Sequence, residues 1–223
     1  MSAERRPQIA VVDYGMGNRR SVQKALEHAG ARAEITRDLD SLTGADALVV
    51  PGVGAFPKAM ANLADLGLAD LIRERAQRVP ILGICLGMQV LFDSSQELGE
   101  TAGLGLIAGE VSWLDAEGLR IPHIGWNEVR FEQPSALTDD LPKDGCPFYH
   151  VHSLAVRPQH DADIVGTTEY GERFATIVQR GLVFGVQFHP EKSSLHGLRM
   201  LGSFVRLCSQ HAARAATTTS AGA

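Results

Sequence analysis

Pro80-Ile81-Leu82-Gly83-Ile84-Cys85-Leu86-Gly87-Met88-Gln89-Val90-Leu91-Phe92 is the stretch on which the fold turns. Its first five residues are apolar or small without interruption, as in a strand buried on both faces of a sheet. Leu86 to Phe92 then reads as a helix, so Cys85 falls at a strand-to-helix junction. Gly83 and Gly87 stand two residues either side of it, the spacing of the sharp turn in G-x-S-x-G hydrolases with sulfur in place of oxygen. A turn that tight brings strand and helix backbones together. Missing side chains at the two glycines permit the approach and leave the sulfur at the sheet edge. The N–H groups that open the following helix, with its dipole, favour the thiolate, which is the nucleophilic form. Taken alone, the pattern fits a small buried cysteine on an apolar strand equally well.

Ile9-Ala10-Val11-Val12 and Ala47-Leu48-Val49-Val50 are further buried-strand candidates. The first runs into Asp13-Tyr14-Gly15-Met16-Gly17-Asn18 and a helix from about Ser21 to His28, and the second stops at Pro51-Gly52-Val53-Gly54. Another strand candidate lies near Ala33 to Thr36. Amphipathic segments, about Lys58 to Leu66 and Leu68 to Gln77, precede the Cys85 strand. From about Glu110 onward the pattern changes to short strands, among them Phe148 to His152, Ile164 to Thr167, Phe174 to Val178 and Leu182 to Val186. A last helix follows from roughly Ser194 to Cys208. The expected class is α/β, with a mixed, mainly parallel central sheet flanked by helices and a nucleophile elbow. One domain is expected over residues 1–223, with a frayed tail at about 212–223.

Composition narrows the function. The chain has 223 residues, 21 Lys and Arg against 26 Asp and Glu, and a formal net charge of −5. No sequence-wide basic field exists to draw nucleic acid or an anionic membrane. The start of the chain has no cleavage-site pattern or spanning length, so the cytoplasm is the expected compartment. The three cysteines, Cys85, Cys146 and Cys208, lack the two-residue spacing of thiolate zinc sites and redox dithiols. Cys146 and Cys208 read as buried hydrophobes.

A second group is Gly185-Val186-Gln187-Phe188-His189-Pro190-Glu191. In extended backbone, residues two apart project to the same side. Glu191 is therefore expected to meet one imidazole nitrogen of His189 while the other faces Cys85, giving nucleophile, base and orienter. A surface His-Pro-Glu turn is the bland reading. An oxyanion requires donors: the N–H of Leu86 is the first, and the Gly-flanked N–H of Val53 is a second that a peptide rotation could switch. His150-x-His152 would project two imidazoles from one side of a strand toward a metal, but no carboxylate or cysteine stands at fitting spacing, and packing or substrate contact is favoured. Gly15-Met16-Gly17-Asn18 lacks the Lys-Ser/Thr of a P-loop and the full dinucleotide fingerprint. No metal and no cofactor is expected.

The elbow, Pro51-Gly52-Val53-Gly54-Ala55-Phe56 and Phe188-His189-Pro190-Glu191-Lys192-Ser193 together resemble the class I (triad) glutamine amidotransferases. Asp13 to Asn18, Pro122-His123-Ile124-Gly125-Trp126-Asn127 and Phe148-Tyr149-His150-Val151-His152-Ser153 resemble, within that class, the glutaminase subunits of imidazole glycerol phosphate synthases. The resemblance spans about Ile9 to Arg206. It implies hydrolysis of glutamine to glutamate and ammonia by Cys85, His189 and Glu191, and delivery of ammonia to a separate (β/α)8-barrel cyclase subunit in histidine biosynthesis. It further implies that Gly52, Gln89, Glu97 and the backbone around His152 and Ser153 hold glutamine, and that Asn18, Trp126 and Lys192 lie near the partner or the ammonia route. Arg19 and Leu154 depart from the family, which commonly has leucine and often tyrosine there. Other readings are a glutaminase of another synthase, such as that of pyridoxal phosphate synthesis, a non-catalytic docking subunit, and a cysteine peptidase, which the matches at Gln89 and Glu97 disfavour.

Overall fold

The computed structural model describes residues 6–220, with side chains through residue 217. In chain order the elements are β1 (Gln8–Val12), α1 (Arg19–His28), β2 (Arg32–Thr36), α2 (Leu39–Gly44), β3 (Ala47–Gly52), α3 (Phe56–Asp65), α4 (Leu68–Arg75), β4 (Ile81–Cys85), α5 (Leu86–Gln89), β5 (Phe92–Ser95), β6 (Thr101–Ala102) and β7 (Ile107–Trp113). There follow β8 (His123–Phe131), β9 (Cys146–His152), β10 (Leu154–Pro158), β11 (Ile164–Tyr170), β12 (Glu172–Arg180), β13 (Val183–Val186) and α6 (Ser194–Ser220). Single 3-10 turns occupy Asp161–Asp163 and Pro190–Lys192.

The expected mixed sheet forms. Its 13 strands include a path ordered β2-β1-β3-β4-β13-β12-β10-β7-β5-β6. The five strands from β2 to β13 are parallel, and the ladders beyond them are antiparallel except for β5 with β7. The continuous apolar runs read in the sequence are the central strands, with β3 and β4 buried along their whole length. Strand alternation divides their side chains between two cores. On one face, Val12, Leu48 and Val50 pack with Phe56 and Leu63 of α3 and Ile72 of α4. On the other, Val11, Val49 and Ile84 pack with Val22 and Leu26 of α1 and with Leu201 and Phe204 of α6. The sheet is thus covered by helices on both sides, as parallel strands require.

Two helices differ from expectation. The one after Cys85 ends at Gln89 instead of near Phe92, because Phe92 already pairs with Ile107 as the start of β5. A four-residue helix has too few aligned peptides for a substantial dipole, so the effect expected on the sulfur reduces to its free N–H groups. The last helix continues past Cys208 to Ser220, and residues 221–223 lie outside the described residues.

The register explains where the site is. Gly52 pairs with Cys85 at the carboxyl ends of β3 and β4, and Val186 pairs with Ile84. Three neighbouring parallel strands therefore deliver Gly52, Cys85 and the segment after Val186 to one edge of the sheet, where α/β folds place their ligands. The elbow glycines make that junction possible. A Cβ on Gly87 would lie 1.7 Å from the Val50 carbonyl oxygen, and one on Gly83 would lie 2.4 Å from the Gly87 oxygen. Gly87→Ala is expected to destabilise the protein by about 3 kcal/mol or more. Gly44→Ala, where an added Cβ meets nothing, should shift stability by no more than about 1 kcal/mol, in the stabilising direction. Urea unfolding of the two variants checks the contrast.

Candidate active site

Cys85 sits at the end of β4 with φ 55° and ψ −113°, a conformation that costs a non-glycine residue on the order of 1–3 kcal/mol. It is held by ladders on both sides of its strand and by Leu86 buried beneath it. The side chain is 6% exposed. Its sulfur lies 3.7 Å from the Val151 carbonyl oxygen and 3.7 Å from Gln187 Nε2, and it stands close enough to His189 to raise that imidazole's proton affinity.

The segment leaving β13 alternates. Phe188 turns into the core and stacks on Phe148 at a centroid distance of 4.0 Å, while Gln187 and His189 turn to the sulfur. The His189 N–H donates to the Tyr149 carbonyl at 2.9 Å and its carbonyl accepts from Ser193 Oγ at 2.7 Å. His189 Nδ1 lies 2.8 Å from Glu191 Oε1. The two side chains meet, but not through extended backbone as expected: the Pro190–Lys192 turn folds the carboxylate back beneath the ring. Glu191 Oε1 also accepts from Asn18 Nδ2, whereas Oε2 is buried with no donor among the described residues.

Burial pulls the His189 pKa down, but the adjoining Cys85 sulfur and Glu191 carboxylate outweigh it and raise it to about 9. A neutral base flanked by a thiol and a carboxylate in a nearly closed site thus becomes a group that readily takes and holds a proton. His123, His150 and His152 behave in the opposite way. Burial lowers His123 to about 4 and His152 to about 3, and drives His150 well below its ordinary value. Their ring nitrogens are spent on Thr176 Oγ1, on the Phe148 and Leu154 carbonyls, on Asn127 and on one another.

The other expected residues fall around this centre. Gly52 ends β3 beside Cys85 with the exposed Val53 just after it, and Leu86 opens α5. Gln89 is buried, its amide nitrogen 3.1 Å from Gln187 Oε1 and 3.4 Å from the Leu154 carbonyl. Glu97 Oε2 accepts from the Phe56 N–H at 2.6 Å, which ties it to the start of α3. His152 is buried, and Ser153 follows it in the bend to β10. Trp126 is 52% exposed on β8 and Lys192 is exposed beside Glu191. Asn18 points inward to Glu191. The two departures are both built in: Arg19 pairs with Asp13, and Leu154 is buried with its carbonyl facing Gln89. Cys146 and Cys208 are buried free thiols of the core, and burial, assisted by Glu128, raises Cys146 to about 11.

The sequence reading missed Gln187 and Tyr14. Gln187 stands two residues before His189, so the alternation that brought His189 to the cysteine should have brought the amide as well. Tyr14 is fully enclosed against Gly52, its hydroxyl lacks a partner among the described residues, and burial and the Cys85 charge raise its pKa.

A family model described as glutamine amidotransferase class-I matches residues 10–207. The chain belongs to that family. This class-I amidotransferase is 53% identical to the imidazole glycerol phosphate synthase subunit HisH of Moorella thermoacetica, over 93% of this chain and 98% of that one. It is 47% identical to the protein of the same name from Methylococcus capsulatus, over 89% and 95%. The solved structure of PurLQS from Thermotoga maritima has the same fold, with a TM-score of 0.71 at 22% identity, over 91% and 99%. No helix among the described residues of the amidotransferase is long and apolar enough to cross a membrane.

The opposed histidine shifts give stability a pH window. His189, raised to about 9, contributes stability that is complete below its ordinary 6.5 and lost as pH rises through about 9. His123 and His152, lowered to about 4 and about 3, cost stability progressively as pH falls below 6.5 toward those values. The urea midpoint should therefore decline on both sides. Glu191→Gln should flatten the alkaline decline, and an NMR titration should then find the His189 imidazole moved down from about 9.

Proposed function

We propose that the protein hydrolyses glutamine to glutamate and ammonia and passes the ammonia to a partner cyclase that makes imidazole glycerol phosphate in histidine biosynthesis. The observation that carries the reading is a cysteine on a strained elbow beside a buried histidine whose Nδ1 is held by a carboxylate. The names of the relatives, at about half identity over nearly the whole chain, support the substrate and the pathway.

Cys85 sulfur attacks the side-chain amide carbon of glutamine, and the oxyanion takes hydrogen bonds from the N–H groups of Leu86 and, once its peptide is turned inward, Val53. His189 accepts the thiol proton and returns one to the departing nitrogen, so ammonia leaves and a γ-glutamyl thioester remains. Water then attacks the thioester and gives its proton to His189, and glutamate leaves as the C–S bond breaks. Glu191 orients the ring and balances its charge. Gly52, Gln89, Glu97, His152 and Ser153 border the glutamine pocket. No cofactor takes part.

The whole chain acts as one amidotransferase domain in a cytoplasmic heterodimer with a (β/α)8-barrel cyclase, whose ring-forming step is of the lyase type. The amidotransferase and the cyclase meet over Asn18, Trp126 and Lys192. Trp126 and Ile124 project side by side from β8 into solvent, 52% and 59% exposed, as an apolar anchor for that contact.

Cys85→Ala should abolish glutamine-dependent turnover, by on the order of 10⁴-fold or more, in the complex with the cyclase and its nucleotide ligand. Ammonium salt should restore the product. Glutamine-dependent turnover retained by Cys85→Ala would overturn the scheme, and no glutaminase activity in the wild-type complex would favour a docking role. Trp126→Ala should raise the Kd of the complex about tenfold or more, as for an aromatic anchor, measured by titration calorimetry.

A further inference from the structure

A hydrogen-bond string runs from β8 to the sulfur of Cys85. Asn127 Nδ2 lies 2.8 Å from the Glu169 carbonyl oxygen and 3.3 Å from His123 Nε2. His123 Nδ1 is 3.0 Å from His152 Nε2, and His152 Nδ1 is 2.8 Å from the Leu154 carbonyl oxygen. That same oxygen faces Gln89 Nε2, which also donates to Gln187 Oε1, and Gln187 Nε2 donates to Cys85.

The direction of each bond is determined. A carbonyl only accepts, so His152 carries its proton on Nδ1. His152 is held neutral by burial, so its Nε2 is an acceptor and His123 must carry its proton on Nδ1. His123 Nε2 is then an acceptor, and the Asn127 amide supplies its hydrogen. Every ring nitrogen of the pair has one role, and no alternative tautomer satisfies the carbonyl. The ring of His123 is clamped as well, stacked on Tyr170 at 4.1 Å and on His150 at 4.9 Å.

We infer that His123 is a positioning residue for glutamine turnover, acting through His152 and the Leu154 carbonyl to hold Gln89 and Gln187 against Cys85. The inference rests on the proposed glutaminase reaction. Leu154 is the first residue after the His152-Ser153 bend that borders the pocket, so its carbonyl sets both the course of that backbone and the place of the Gln89 amide. Without the His123 donor, His152 Nε2 is left buried and unpaired, and the ring has reason to turn away from Leu154. The loss reaches the pocket wall and the amide on the sulfur, but touches no atom of the reacting group directly.

The amide nitrogen of asparagine overlays Nδ1 of histidine, whereas that of glutamine overlays Nε2. His123→Asn therefore keeps the donor that matters, and His123→Gln and His123→Leu remove it. In the complex with the cyclase, His123→Leu and His123→Gln should raise KM for glutamine about tenfold or more, consistent with one lost buried hydrogen bond. Ammonium-dependent turnover should be unchanged, and His123→Asn should stay within about threefold of wild type. Two folded breaking variants with unaltered glutamine kinetics, or an equal fall in the ammonium-dependent rate, would overturn the proposal. So would a defect in His123→Asn as large as in His123→Leu. Alkylation of Cys85 by iodoacetamide in the uncomplexed protein supplies a readout independent of glutamine. Its rate should change in His123→Leu and His123→Gln and hold in His123→Asn. If wild type lacks glutaminase activity, the reaction scheme fails, and the alkylation rates still decide whether His123 acts on the sulfur.

Discussion

Cys85 is held with φ 55° between a buried strand and a four-residue helix, a conformation that persists only where its surroundings over-determine it. They do so by contact: the Gly87 α-carbon lies against the Val50 carbonyl and the Gly83 α-carbon against the Gly87 peptide. Strand β3, strand β4 and the turn are locked at backbone distance, with no side chain between them to compress or rearrange. The same contact fixes Gly52 opposite Cys85, so the candidate oxyanion loop and the sulfur share one rigid edge.

Around that edge the protein uses burial in two opposite ways. His189, beside a sulfur and a carboxylate, has its proton affinity raised although it is 1% exposed. His123, His150 and His152 are also buried, but each faces carbonyls, a hydroxyl, an amide or another imidazole, none of which repays the cost of a positive charge. They remain neutral donors and acceptors with fixed tautomers. One residue type thus supplies both a readily protonated group and neutral hydrogen-bonding groups, according to the neighbours each ring meets.

The parallel half of the sheet was legible because its strands are buried on both faces and read as unbroken apolar runs: Ile9 to Val12, Ala47 to Val50 and Ile81 to Ile84. The elbow was legible from two glycines, whose steric role does not depend on distant partners. Glu191 was matched to the right partner for the wrong local reason, since a 3-10 turn and not a strand brings it to His189. What sequence spacing does not carry is pairing between distant segments. His123 and His152 face each other only because β8 and β9 align in that register, with His123 opposite His152 and Asn127 opposite Phe148. The helix after Cys85 was overestimated because Val90, Leu91 and Phe92 suit a helix equally well, and only the ladder to β7 decides for a strand.

Asn18 illustrates how a loop remote in sequence is drawn into the site. It ends the glycine-containing loop after β1 in a left-handed conformation, φ 71°, which asparagine tolerates better than most residues. Asp13 anchors the other end of the loop, accepting from the Gly15 N–H at 3.1 Å and pairing with Arg19 and Arg37. With both ends fixed, the Asn18 amide meets Glu191 Oε1, which also lies 2.8 Å from His189 Nδ1. Two contacts on one oxygen restrict the rotation of the buried carboxylate and of the imidazole it meets. Arg19 contributes by holding Asp13 and so the loop that carries Asn18 to the carboxylate beside the histidine.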